Sequence, residues 1–251
     1  MNNKNIKILA LGDVVGRPGR QALTSELLKL KKEYNADFVI VNGENSAGGS
    51  GIDEKCANEI KAAGADLITL GDHTWQKNEV KDFLDRNSSW CIRPANYPPG
   101  APGKGYSIIK CGDLNVGVLN LMGRVFISQF LDCPFRKADE LLNGELGKAD
   151  IIICDMHAEA TSEKKAMGKY LDGRVALVFG THTHVQTADE EILPKGTAYI
   201  TDIGMCGPAD SILGMKNDIS INRFVTGMKF SYELGMGEAD INGIYCEIDS
   251  L

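Results

Sequence analysis

The stretch Val175-Ala176-Leu177-Val178-Phe179-Gly180-Thr181-His182-Thr183-His184 sets an apolar run against a polar end carrying two histidines. A run apolar at nearly every position is the pattern of a strand covered on both faces, as in a parallel sheet flanked by helices. The glycine and the His-x-His pair fall where that strand ends. In α/β sheets the ligand site lies just beyond the carboxyl ends of the strands.

The same pattern recurs outward along the chain. Residues 6–11 read as a strand ending at Gly12-Asp13, and 38–41 as one ending at Gly43-Glu44-Asn45. Residues 66–70 end at Gly71-Asp72-His73, and 151–156 end at His157. Residues 91–94, 105–110, 115–121 and 198–202 read as further strands. Helices are predicted over 18–34, with Pro18 in the first turn, and over 53–63, with Asp53 as cap and Gly64 at the end. Others are predicted over 77–86, 136–142 and 162–171, the last capped by Ser162. Residues 228–234 and 243–248 read as a closing antiparallel pair. Eleven or so strands between amphipathic helices predict an α/β fold of two packed mixed sheets with helices outside. No repeat, low-complexity segment or linker divides the chain, so a single domain over 1–251 is expected.

Composition excludes several classes. Of 251 residues, 43% are hydrophobic, enough for a sizeable core. The chain carries 34 acidic and 27 basic residues, a net charge of -7, with no basic run beyond Lys29-Leu30-Lys31-Lys32. That argues against a stable nucleic-acid complex. No apolar stretch reaches the ~18 residues of a membrane span. Met1-Asn2-Asn3-Lys4-Asn5 runs straight into the first strand, so no signal peptide is expected. Seven cysteines, an odd number at irregular spacing without a C-x-x-C pair, predict a reducing, cytoplasmic setting with buried thiols.

All four histidines of the chain lie at strand exits, among Asp13, Glu44, Asn45 and Asp72. Imidazoles mixed with carboxylate and amide oxygens suit iron, manganese or zinc, and the absence of cysteine argues against a structural zinc site. A carboxylate such as Glu44 can bridge two cations, and two cations can drive in-line phosphoryl displacement. Each residue also has a plainer role open to it. Asp13 could cap a helix, Glu44 and Asn45 could form a turn, and His73 and His157 could be structural histidines. Trp75 and Cys206 read as packing. Glu159 could orient a ligand histidine or simply be solvated, and Thr181 and Thr183 could be loop hydrogen-bonders. Arg93, Lys104 and Arg124 could contact phosphate or be surface charges. Asn42 and Asp202 have no assigned role.

Gly12-Asp13-Val14-Val15-Gly16, Val41-Asn42-Gly43-Glu44-Asn45, Gly71-Asp72-His73-Thr74-Trp75, Asp155-Met156-His157-Ala158-Glu159 and Gly180-Thr181-His182-Thr183-His184-Val185 together resemble the signatures of the calcineurin-like metallophosphoesterases. More closely, with Asp202–Pro208 and Ile212–Met215, they resemble the YmdB-like branch of bacterial cyclic-nucleotide phosphodiesterases. The resemblance spans essentially the whole chain. It implies an α/β/β/α sandwich, two metal ions, iron first, with manganese or zinc as alternatives, and a homo-oligomer. It also implies hydrolysis of small cyclic phosphodiesters such as 2′,3′-cyclic nucleotides by a hydroxide bridging the metals. Carried over by position, Asp13, Asn45 and His184 would hold one metal and Asp72, His157 and His182 the other. Glu44 would bridge, and His73 would be the catalytic general acid. The resemblance assigns no substrate-binding residues. Val15 and Glu44 depart from the wider superfamily but fit this branch. Asp72 departs from the branch itself, whose motif is Gly-Asn-His. Two other functions follow as alternatives: a phosphomonoesterase on the same centre, or a low-turnover regulatory nucleotide-binding protein, which Asp72 favours.

Overall fold

The computed structural model describes residues 5–249. In chain order the strands of the first half are β1 (Asn5–Leu11), β2 (Asp13–Val14), β3 (Phe38–Asn42), β4 (Leu67–Thr69), β5 (Cys91–Ile92), β6 (Tyr106–Cys111) and β7 (Leu114–Met122). Those of the second half are β8 (Ile151–His157), β9 (Leu177–Thr181), β10 (Glu191–Ile192), β11 (Ala198–Ile200), β12 (Met205–Pro208), β13 (Ala239–Ile241) and β14 (Gly243–Asp249). The helices are α1 (Gly16–Glu33), α2 (Glu54–Ala63), α3 (Val80–Asn87), α4 (Pro134–Asn143), α5 (Thr161–Leu171) and α6 (Asn217–Thr226).

Five strands form one sheet in the order β14-β1-β3-β4-β5, and six form a second in the order β10-β11-β9-β8-β7-β6. The central pairs of both sheets are parallel, and β14, β6 and β10 add antiparallel edges. Alternation along each strand decides which face meets what. Ile6, Ile8 and Ala10 of β1 join Phe38 and Ile40 of β3 against Val116, Val118, Ile151, Ile153, Leu177 and Phe179 of the other sheet. Leu9, Leu11, Val39 and Val41 point the other way, onto Leu23 and Leu27 of α1 and Ile60 of α2. Leu119, Leu121, Met156 and Val178 pack on Ala138 and Leu141 of α4 and Met167 and Leu171 of α5. The result is an α/β/β/α sandwich with three apolar layers. No helix among the described residues is long and apolar enough to cross a membrane.

Asp53 caps α2 by accepting from the Cys56 N–H at 2.7 Å, and Gly64 ends it at φ 122°. Several expected boundaries differ. The helix α5 begins at Thr161 after Ala160, with no side-chain cap, so Ser162 lies inside the first turn. The helix α3 starts at Val80, because residues 72–79 form the turns that carry Asp72 and His73. The strand β14 pairs with β1 over all seven residues rather than with 228–234, which make only the bridge Met215–Leu234. The open edge of β1 supplies a full ladder that the short exposed segment does not. The fourteen strands described form three sheets, the third being β13-β12-β2. It pairs Asp13 with Met205 and so fixes the start of the site. Helix α6 buries only Ser220 and has no inward apolar face for a periodicity argument to find.

Candidate metal centre

The parallel strands of both sheets deliver their carboxyl ends to one place. Asp13 opens β2, Glu44 and Asn45 follow β3, and Asp72 and His73 follow β4. His157 is the last residue of β8, and His182 and His184 follow β9. Contacts link all eight residues. Asn45 Nδ2 lies 3.1 Å from His184 Nε2, and Asp13 accepts from the His182 N–H at 3.1 Å. His182 Nδ1 lies 3.0 Å from His157 Nε2, and His157 Nε2 lies 3.0 Å from Asp72 Oδ1. The His73 N–H donates to Glu44 at 3.1 Å. Glu44 touches both halves, accepting from Asn45 at 3.2 Å and lying 3.3 Å from His157 Nε2. Gly71 permits this closeness, since a Cβ there would collide with the His157 ring and the Glu44 carboxylate.

Polar partners fix which nitrogen is free in three of the four histidines, His157, His182 and His184. The Thr181 hydroxyl donates to Asp155 Oδ1 at 2.8 Å, so at 2.9 Å it accepts from His157 Nδ1. The Nε2 lone pair of His157 then faces inward. His182 Nε2 lies 3.1 Å from the Glu159 carboxylate, which only accepts, so its Nδ1 faces inward, 3.1 Å from Asp72 Oδ1. His184 Nδ1 donates to the Leu213 carbonyl at 3.2 Å, which turns its Nε2 toward Asp13 and Asn45. Ligand atoms of Glu44, Asp72, His157 and His182 all lie within 4.8 Å of one another. Ligand atoms converging in this way could hold a metal ion. On the other side, Asp13 Oδ1 and Asn45 Oδ1 are buried without a hydrogen-bond partner. Buried polar atoms without partners are rare and are explained where a cation completes them. The donor set of imidazole nitrogens, carboxylates and an amide oxygen fits divalent transition-metal ions.

The ionisation pattern expresses the same convergence. Burial raises the Asp13 pKa, only partly opposed by His184 and His157. Burial would raise Glu44 too, but the charge and hydrogen bond of His157 bring it down to about 2. Asp72 is likewise held far below its ordinary value: burial opposes this, and hydrogen bonds from His157 and His182 prevail. Burial favours a neutral His157, yet Glu44 and Asp72 hold its pKa well above normal. A proton there and a metal ion answer the same excess of lone pairs. The His73 pKa is raised, chiefly by the Glu44 carboxylate 3.5 Å from its Nδ1.

A cavity of about 490 Å³ opens over the cluster, lined by Glu44, Asn45, His73, His182 and His184 together with Leu213, Met215 and Tyr232. A second cavity, about 430 Å³ between β11 and β14, contains none of the candidate residues.

The plainer readings divide. Asp13 does not cap α1, whose N-cap is Val15 without a side-chain bond. Glu159 does contact a histidine. Trp75 packs edge-on against Tyr97 at 5.3 Å, and Cys206 is fully buried with burial raising its pKa to about 12. Arg93 is buried and spends its guanidinium on the carbonyls of Pro94, Ala101, Pro102 and Gly103, so it is not available to phosphate. Lys104 and Arg124 are exposed and do not line the cavity. The supporting residues escaped the sequence. Asn42 accepts from the Glu44 N–H at 3.1 Å, and Thr69 donates to Asp155 at 2.5 Å. Asp155 is pushed up to about 6 by burial. Only the His182-Thr183-His184 spacing hinted that neighbouring threonines orient the loop.

The family model described as YmdB-like protein matches residues 9–251. The chain belongs to the YmdB-like family. It is 49% identical over 244 residues to the 2′,3′-cyclic-nucleotide 2′-phosphodiesterase of Bacillus subtilis (strain 168), covering 97% of this chain and 92% of that one. A crystal structure of a novel phosphatase from Mycoplasma pneumoniae superposes with a TM-score of 0.92 at 38% identity, covering 99% of this chain and 89% of that one. A structure of a hypothetical protein from Thermus thermophilus superposes with a TM-score of 0.88 at 41% identity, covering 97% and 100% of the two chains. The fold is that of the calcineurin-like metallophosphoesterases.

Proposed function

We propose that this chain is a dinuclear metal-dependent phosphodiesterase that opens nucleoside 2′,3′-cyclic phosphates at the 2′ ester. The observation that carries the reading is the convergence of Glu44, Asp72, His157 and His182 within 4.8 Å, with each outward histidine N–H already committed. The YmdB-like relatives support the substrate class. Asp13, Asn45 and His184 would hold one ion and Asp72, His157 and His182 the other, with Glu44 placed to serve both. Iron is the first expectation, with manganese or zinc also suited to this donor set. When bound, two such ions activate water and neutralise charge on the phosphoryl oxygens. His73 protonates the departing ribose oxygen from Nε2. Glu44 raises the His73 pKa, as an acid acting near neutral pH requires.

The cavity lining contains no Lys or Arg among the described residues. That suits a diester with one negative charge better than a monoester with two. Asp72 favours a second reading, a regulatory nucleotide-binding protein with little turnover, because it adds charge beside an anionic substrate. The proposal also includes a single functional domain, a reducing cytoplasmic setting and a homo-oligomer. All seven cysteines are free. Phe224, Val225 and Met228 on and after α6 are 82%, 77% and 64% exposed, the kind of apolar patch a second copy covers.

Elemental analysis of protein purified without added metal, with turnover of 2′,3′-cyclic AMP, bis-p-nitrophenyl phosphate and p-nitrophenyl phosphate, tests the reading. Two ions and preference for the diesters are expected. Two ions with no turnover leave the regulatory reading, and no metal overturns the centre itself. Replacing His73 by Gln should cut kcat about 10²–10⁴-fold with metal content unchanged.

A further inference from the structure

The cavity over the cluster is lined by two unlike sets of side chains. One is the candidate metal ligands. The other is Leu213, Met215 and Tyr232, whose side chains no step of the proposed chemistry uses. Tyr232 is 46% exposed. Burial of its hydroxyl end raises its pKa, and no hydrogen bond among the described residues contributes. Its ring lies against the backbone of Gly49, where a Cβ would sit 2.6 Å from Tyr232 Cε1 and 3.0 Å from its hydroxyl. Position 49 therefore needs glycine twice over: for its φ of +87° and to give the ring its seat.

The strand-like segment carrying Tyr232 is held in place. The Lys216 N–H donates to the Glu233 carbonyl at 3.0 Å, and the Gly235 N–H to the Gly214 carbonyl at 2.9 Å. Leu213 ties this second set to the centre. Its carbonyl orients His184, its side chain is 47% exposed, and its φ is +53° although it is not glycine. A strained residue that serves a ligand histidine and an apolar lining together marks a constrained, functional backbone. A ligand that meets both sets would carry a phosphoester end and an apolar group. A cavity of about 490 Å³ is of the size that small ligands occupy.

We propose that Tyr232, backed by Gly49 and flanked by Leu213 and Met215, is the nucleobase platform of the site. Its ring stacks on the base of a nucleoside 2′,3′-cyclic phosphate and selects base-bearing cyclic phosphates over smaller ones. This inference rests on the phosphodiesterase reading.

The test compares the full-length wild type, Tyr232→Ala and Tyr232→Phe, all loaded with Mn²⁺. The substrates are 2′,3′-cyclic AMP and methyl riboside 2′,3′-cyclic phosphate, which lacks a base. Binding of 3′-AMP is measured by calorimetry as a readout independent of turnover. Tyr232→Ala should raise KM for 2′,3′-cyclic AMP and weaken 3′-AMP binding by about tenfold, the scale of one base–aromatic stack. Its kcat and its kinetics on the baseless substrate should not change, and Tyr232→Phe should behave as wild type. Equal effects of Tyr232→Ala on both substrates, or none on either, overturn the platform while leaving the phosphodiesterase reading intact. A wild type that cleaves neither substrate overturns that reading, and the platform with it.

Discussion

Lys164 Nζ lies 2.6 Å from Asp202 Oδ2, and the two side chains are 1% and 0% exposed. The same carboxylate oxygen accepts from the Thr183 N–H at 3.2 Å and the Thr183 hydroxyl at 2.7 Å. Thr183 stands between His182 at φ 97° and His184 at φ 64°, both in a region that non-glycine residues avoid. A buried ion pair between Lys164 of α5 and Asp202 after β11 thus splints the strained loop that presents two candidate ligands. Lys164→Met leaves Asp202 charged and unpaired in the interior and should cost about 3–5 kcal/mol in urea unfolding. Adding Asp202→Leu should not restore metal content, because Thr183 still loses its acceptor. Full metal content in the double variant would refute the splint.

Thr181 relays Asp155 to His157. Removing its hydroxyl in Thr181→Val frees the ring to rotate and to change tautomer. Loss of such an orienting partner typically costs 10–100-fold in metal affinity. Competition with a metallochromic chelator should show a weakening of that size, with an unchanged circular dichroism spectrum. Unaltered affinity would mean that the strand alone orients His157.

Asp72 contacts both His157 and His182, and its second oxygen lies 3.8 Å from His73 Nε2. Asp72→Asn keeps a ligating carbonyl, removes a negative charge and adds an N–H₂ donor toward phosphate. The expected outcome is a rise of about tenfold in kcat/KM on 2′,3′-cyclic AMP, ~1.4 kcal/mol in transition-state stabilisation. A variant no more active than wild type would sink this account of the substitution.

Chelation should destabilise the protein, because on the proposed reading a bound ion draws the converging donors together. A ligand present at 1,000 times its Kd contributes ~4 kcal/mol. Scanning calorimetry should show Tm falling by several degrees after EDTA treatment and recovering with Mn²⁺. A Tm indifferent to both would leave the cluster without a structural ion.

Asp189 lies away from the centre and gives a pH signature. Burial opposes its ionisation. The Thr201 hydroxyl at 2.5 Å, the Thr187 hydroxyl at 2.7 Å, the Thr201 N–H at 3.1 Å and Lys165 at 3.1 Å outweigh it and depress its pKa. A depressed carboxylate adds stability that is present above its ordinary value of 3.8 and lost as pH falls toward the folded value. Asp189→Asn should therefore be less stable than wild type at pH 7, and the gap should narrow in urea unfolding at pH 3.5. A gap that stays constant would exclude the linkage.

The features legible in the chain alone were local. Nearly unbroken apolar strands, the Asp53 cap and the glycine-ended strand exits are set by periodicity and backbone conformation over a few residues. They were enough to mark Asp13, Glu44, Asn45, Asp72, His73, His157, His182 and His184. Folding settled what depends on distant partners. Asp13 meets His182 across 169 residues of chain, and Lys164 meets Asp202 across 38. No spacing rule reaches such pairs, because only packing of the two sheets brings them together. The same packing chose β1 as the partner of β14, buried Arg93 among carbonyls, and left α6 without an inward face. It also fixed which nitrogen of His157, His182 and His184 points inward, since that depends on Thr181, Glu159 and the Leu213 carbonyl. Residue type and strand end are written in the chain; the direction of a lone pair exists only once its hydrogen-bond partners have been folded against it.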